Sequence, residues 1–270
     1  MTNWKKYNGA LIPDQPPHLE IDDSYSLIEE KISANNAFFA RWTTKFDYKE
    51  ETNFWYVICD EFISIDKLSK NTRNQVRRGL RKCDVRIVDK EVVIEEGFES
   101  YFAAFINYNT HINPKNKSEF QNELLAFGSE WEFWGIYNED RMIGYCQNKV
   151  VGKYCDYSTI KFHPNFLKLY PSYALFYTMN KYYLDEKKFD YVNDGARSIS
   201  HETNIQEFLI KKFKFRKAYC KLNIIYNSRI GFLVKLLYSF RLPLKLLNFG
   251  FFIKLNILLN QEKIIRSYDQ

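Results

Sequence analysis

The chain has 270 residues, 46% of them hydrophobic and 27% charged, with a formal net charge of +6. That is globular composition, long enough for one large or two small domains with a real core. Five cysteines (Cys59, Cys83, Cys146, Cys155, Cys220) without a CxxC pair, and four scattered histidines, argue against a disulfide framework and against zinc. Reduced buried thiols in a cytoplasmic protein are expected. The start, MTNWKKYNGALIPDQPPH, lacks the apolar core of a signal peptide, and no apolar run approaches the ~18 residues of a membrane span.

In chain order, residues 1–25 read as an irregular lead-in, because Pro13, Pro16 and Pro17 block regular structure. Leu27 to Trp42 reads as a helix and Phe54 to Cys59 as a buried strand. Lys67 to Lys82, KLSKNTRNQVRRGLRK, carries seven basic residues and no acid. Helical spacing puts Arg73, Arg77 and Arg81 on one face with Lys70, and that face is an anion-binding candidate or a solvated helix surface. A short strand at Val85–Val88 and two helices follow. Trp131–Tyr137, Arg141–Val150 and Tyr154–Phe162, joined by tight turns, form an antiparallel meander. A helix from Ser172, a strand opening at Tyr191, a helix from Asn204 and a strand at Ala218–Tyr226 complete the order. The Tyr191 strand runs into Asn193-Asp194-Gly195-Ala196-Arg197, and strand ends are where α/β sheets gather polar chemistry.

The order over roughly residues 83–226, and the stretch Asn204 to Phe215 (NIQEFLIKKFKF) followed by Arg216, resemble the GNAT acyltransferase fold. Asn204, Leu209, Phe213, Phe215 and Arg216 match its last-helix signature; Lys214 replaces the family glycine, and Ile210 the tyrosine that protonates the leaving thiolate in many members. In the loop that binds the coenzyme A pyrophosphate in the family, Tyr170 and Ser172 replace two glycines, and Pro171 removes an N–H. The pattern Ser69, Arg73, Val76, Arg77, Arg78, Arg81 is similar to the opening helix of the Fem-type aminoacyltransferases, which lack that glycine loop and take their acyl group from aminoacyl-tRNA. The resemblance implies a mixed, mostly antiparallel twisted α/β sheet flanked by helices. It implies that 67–226 is the acyltransferase domain, with 1–66 an N-terminal segment packing on it or a remnant of a second such domain; the composition of 227–270 adds a basic amphipathic helical appendage.

Acyl transfer to an amine needs a base, donors for the tetrahedral oxyanion and joint positioning of two substrates. By the resemblance, the oxyanion donor is a backbone N–H on Cys155–Thr159 and the base an acid on that strand or the next. Asp156, an unusual residue for an aromatic strand, Asp194 and the nearby His201 are the catalytic candidates. Asp194 before Gly195 also fits a plain turn, and His201 an exposed turn residue. Arg197, Asn193, Tyr157 and Asn204 are candidates for substrate binding. For Arg197 the alternative is a salt bridge to Glu202, and for Asn204 a helix cap. Ser172, Tyr173 and Lys168 are candidates for the donor. No cofactor is expected to stay bound; acyl-coenzyme A or aminoacyl-tRNA enters as cosubstrate, with tRNA a partner in the second case.

From Asn227 to Asn260 five basic residues and no acid alternate with apolar ones. Leu233, Leu236, Leu237, Phe240, Leu244 and Leu247 fall on one helical face, as in an element on an anionic inner leaflet or in one packed on its own domain. The expected function is transfer of an acyl or aminoacyl group to an amine of a cell-envelope precursor. Two alternatives stay open: a non-catalytic binding module, and an acetyl-coenzyme A enzyme with a divergent loop.

Overall fold

The computed structural model describes residues 1–108, 113–199, 204–247 and 249–268. The first half runs β1 (Trp4–Tyr7), β2 (Ala10–Pro13), α1 (Tyr25–Ala34), β3 (Phe39–Tyr48), β4 (Phe54–Cys59), α2 (Lys70–Lys82), β5 (Asp84–Val88), α3 (Lys90–Ile106) and α4 (Lys117–Leu125). The second runs β6 (Trp131–Asn138), β7 (Arg141–Val151), β8 (Tyr154–Phe162), α5 (Pro171–Asn180), β9 (Tyr191–Ala196), α6 (Asn204–Phe213), β10 (Arg216–Tyr226), α7 (Ser228–Leu237), α8 (Arg241–Lys245) and α9 (Phe251–Arg266). The expected class is present: a mixed, mostly antiparallel sheet flanked by helices, with a helical C-terminal appendage.

The chain forms two compact units that interleave in sequence. The first holds residues 1–56, 196–203 and 217–270; the second holds 57–195 and 204–216.

In the second unit the strand order is β9-β8-β7-β6-β5. The meander pairs antiparallel along its length, because two-residue turns at Glu139-Asp140 and Gly152-Lys153 bring consecutive strands together. β9 joins β8 in parallel, with Tyr154 opposite Tyr191 and Asp156 opposite Asn193. α3 and α4 bury Val93, Tyr101, Phe120 and Leu124 against Phe133 and Tyr145 of the sheet. α5 presents Ala174, Leu175, Phe176 and Met179, all fully buried. After Asn180 the helix widens into a π-turn through Glu186, which buries Tyr183. α2 packs on α5, and Gly79 permits it: a Cβ there would stand 2.7 Å from the Tyr170 carbonyl oxygen.

In the first unit the order is β1-β2-β3-β10. The lead-in, expected to be irregular, carries a hairpin, β1 with β2, and Pro13 does not block it: it ends β2 opposite Trp4. The helix expected over Leu27–Trp42 ends at Ala34. Asn36 turns the chain with a left-handed φ of 47°, and the next segment is β3. Phe39-Ala40-Arg41-Trp42-Thr43-Thr44 pairs with β10, and long-range pairing overrides the local helical reading. Val234 of α7 and Leu255 and Leu259 of α9 form a core of their own; Ile264 and Tyr268 pack with Phe54, Cys220 and Leu222. The tail is therefore part of this unit's fold. Its expected single stripe divides: Leu233, Leu237 and Leu244 pack inward, while Leu236 and Phe240 are exposed with Leu242, Leu246 and Phe249.

Candidate active site

Strands β8 and β9 pair over three residues only, although they are nine and six residues long. Beyond Asp156 and Asn193 they part. A parallel pair that opens leaves backbone donors and acceptors of both strands facing the gap. The polar end of β9 lies at this opening.

Asn193 is buried at 2% exposure and holds three partners. Its side-chain nitrogen donates to Asp156 Oδ1 at 3.0 Å and to the Tyr154 hydroxyl at 3.1 Å, and its Oδ1 accepts from the Gly195 N–H at 3.0 Å. The amide thus ties the Asp156 carboxylate to the bend after Asp194, where Gly195 takes a φ of 91°. Strand alternation points Asp194 to the opposite sheet face from Asn193, the face of Tyr157. Burial, and secondarily the charge of Asp156, push the Asp194 carboxyl up to about 8. One acid is oriented by an amide; the other is held near neutrality in its titration.

Tyr157 is buried, donating to Asn180 Oδ1 at 2.9 Å and packing on Phe176, Tyr183 and Phe215. Burial keeps its phenol protonated, far above the ordinary range. On the same face lies a polar network absent from the sequence reading. The Tyr183 hydroxyl donates to Glu132 Oε2 at 2.6 Å and accepts from Trp134 Nε1 and Asn148 Nδ2. Asn148, fully buried, also accepts from the Cys146 thiol. A buried amide inside an apolar strand is the signal that could have found it, since such a group persists only when it is satisfied.

The other predicted residues fall in several places. Ser172 is the second residue of α5, behind Pro171 and the left-handed Tyr170 (φ 62°). Tyr173 is buried, edge-on to Tyr170 and Phe208, so its ring is core. Lys168 is exposed on the short 3₁₀ turn before α5. Asn204 opens α6 and is exposed. His201 and Glu202 lie outside the described residues. Arg197 belongs to the first unit. There its Nη1 donates to the Asn53 carbonyl at 2.7 Å, its guanidinium lies 4.4 Å from the Trp55 ring, and its Nε is buried without a hydrogen-bond partner.

Helix α2 sorts its arginines by face. Arg73 donates to the Asp66 carbonyl and Arg77 to its carboxylate at 3.3 Å. Arg77, Arg78 and Arg81 line an open groove of about 720 Å³ that ends at Tyr170, at the start of α5. Arg78 reaches over the Tyr170 ring, 5.8 Å from its centroid. The cationic groove therefore includes Arg78 and leaves out Arg73.

No family model matches this chain, and no curated protein matches it in sequence. Solved structures do. The C-terminal domain (DUF2156) of an Agrobacterium fabrum protein named as a lysylphosphatidylglycerol synthetase superposes with a TM-score of 0.59 at 12% identity, over 86% of this chain and 82% of that one. L-PGS from Bacillus licheniformis gives 0.53 at 12% identity, over 87% and 83%. FemX gives 0.52 at 13% identity, over 82% and 72%. At such identity the likeness is one of fold, and it bears out the Fem-like resemblance at that level. It also covers more of the chain than the second unit contains, so it takes in residues of the first.

Proposed function

We propose that this chain is an acyl- or aminoacyltransferase that joins an acyl group to an amine of a cell-envelope precursor (an amino sugar, a peptide or a lipid-linked acceptor) by direct attack. The observation that carries the reading is the pair Asp156 and Asp194 at the parting of β8 and β9, one oriented by Asn193 and the other raised to about 8. A carboxylate of that basicity is matched to taking a proton from an ammonium near neutral pH. In the proposed step the amine nitrogen attacks the acyl carbon as Asp194 accepts its proton. The oxyanion is met by a backbone N–H of β8 beyond Asp156, and the proton then passes to the leaving group. Ile210 stands where the family's acid would be, so one carboxyl serves both transfers.

The α2 groove supplies the donor's anion site. Three arginines beside the N-terminus of α5 suit phosphate, and Pro171 with Tyr170 leaves less approachable backbone there than a glycine loop would. This favours aminoacyl-tRNA over acyl-coenzyme A. The neighbour named for lysylphosphatidylglycerol, an aminoacylated lipid, fits the same preference. The acceptor would be met at an anionic membrane surface through residues 228–260, whose exposed Leu242, Leu246 and Phe249 sit among basic residues. No helix among the described residues is long and apolar enough to cross a membrane.

The test offers acetyl-coenzyme A and aminoacyl-tRNA separately with amino-sugar, peptide and lipid-linked amines, and reads the acceptor's mass. Transfer that needs Asp194 is expected. Absence of transfer from both donors, with no donor retained in native mass spectrometry, would establish a non-catalytic binding module instead. For the membrane contact, Leu242→Glu with Leu246→Glu should abolish co-flotation with anionic vesicles; unchanged flotation sinks that part.

A further inference from the structure

The first unit holds a parallel pair that also opens. β2 and β3 pair only at Ala10 with Phe39 and Leu11 with Ala40. Past that point lies a cavity of about 210 Å³, more enclosed than the α2 groove. Pro13, Pro16, Trp42 and Tyr56 line it, together with Arg41 and Thr43.

Arg41 directly follows Ala40, the last residue of β3 that pairs with β2. Its Nη1 donates to Gln261 Oε1 at 3.1 Å, and it has no carboxylate partner among the described residues. Burial pulls its pKa below the usual guanidinium value. A guanidinium has five donors in a planar fork, and one amide oxygen uses a single donor. Partly burying such a cation without an anion costs free energy, and that cost is recovered when an oxyanion enters. Apart from the Gln15 amide and the Thr43 hydroxyl beside Tyr56, the rest of the lining is flat or apolar.

We infer that this cavity binds a small molecule bearing an oxyanion, carboxylate or phosphate, on a planar or apolar body, with the oxyanion on the fork of Arg41 and the body against Trp42 and Tyr56. The site goes beyond the transfer chemistry assigned to the second unit and stands or falls separately from it.

The test titrates the full chain with benzoate and with phenyl phosphate, by calorimetry and by the indole N–H resonance of Trp42, assigned by its loss in Trp42→Phe. At least one probe is expected to bind at a single site and to move that resonance, and the tighter arm identifies the anion. Arg41→Met should weaken the binding at least tenfold, and Arg41→Lys, which keeps the charge without the fork, at least threefold. Failure of both probes to bind the natural chain, a Trp42 resonance that does not move, or unchanged affinity in Arg41→Lys would each overturn the inference. The first two readings need no variant, so a Met substitution that fails to fold leaves the test intact.

Discussion

In each unit a parallel strand pair parts after two or three paired residues, and the two openings carry opposite charge. In the second unit Asp156 and Asp194 stand at the parting of β8 and β9. In the first, Arg41 stands at the parting of β2 and β3. The same backbone device frees main-chain groups in both places; the side chains decide what it can serve. Two carboxylates, one held near its titration point, suit proton transfer. A guanidinium stays protonated throughout the working pH range and suits holding an anion.

The comparison breaks most sharply if Asp194 is not a base. With whichever donor proves active, Asp194→Asn should cut kcat by about 10² to 10⁴, the usual range for a lost general base. In the natural protein activity should rise with pH and level off above about 8. A flat profile, or a tenfold loss at most in Asp194→Asn, removes Asp194 from the chemistry.

The same carboxyl should cost stability. Its folded pKa, about 8, lies above the unfolded value, so the native state binds more protons between pH ~4 and ~8, and stability falls with rising pH across that window. Asp194→Asn removes this penalty. Urea unfolding should show the variant more stable than the natural chain by on the order of a few kcal/mol at pH 8, with the advantage shrinking toward pH 4. An advantage independent of pH would show that the buried charge is not its source.

A third prediction concerns the groove. Gly79→Ala places a Cβ 2.7 Å from the Tyr170 carbonyl and 3.1 Å from the Ala174 nitrogen. Overpacking of this kind costs about 1–3 kcal/mol, against a gain in helix propensity of about 1 kcal/mol. A net loss in denaturation midpoint is expected, and a gain would mean that α2 sits less tightly on α5.

The smallest effect belongs to the first unit. Arg41→Met, which replaces a half-buried cation that has no carboxylate partner by an apolar side chain of similar length, should raise stability in the absence of ligand by about 1 kcal/mol or more. Loss of stability would indicate that Gln261 alone satisfies the guanidinium.

Much of the second unit was legible in the chain. The meander, the basic helix and the helix from Asn204 rest on local periodicity and turn chemistry, and each appears close to its expected place. Reading Leu27–Trp42 as one helix failed because β3 is made by pairing with β10, nearly two hundred residues away in sequence. The candidate site was legible in part. Asp156, Asn193 and Asp194 are conspicuous polar residues on strands, but Tyr173 reads like a donor residue and is core, and Asn148 reads like ordinary strand and anchors a buried network.

The sequence by itself determined the meander, the basic helix and the helix from Asn204, and where the ionisable residues fall along them, because those properties depend on neighbours within a few turns. Only the tertiary structure decided which strands lie together in parallel and then part, which carboxyl loses its water, and which arginine is left with a single amide. Those outcomes depend on burial and on pairings between distant segments, and desolvation and charge act through space rather than along the chain.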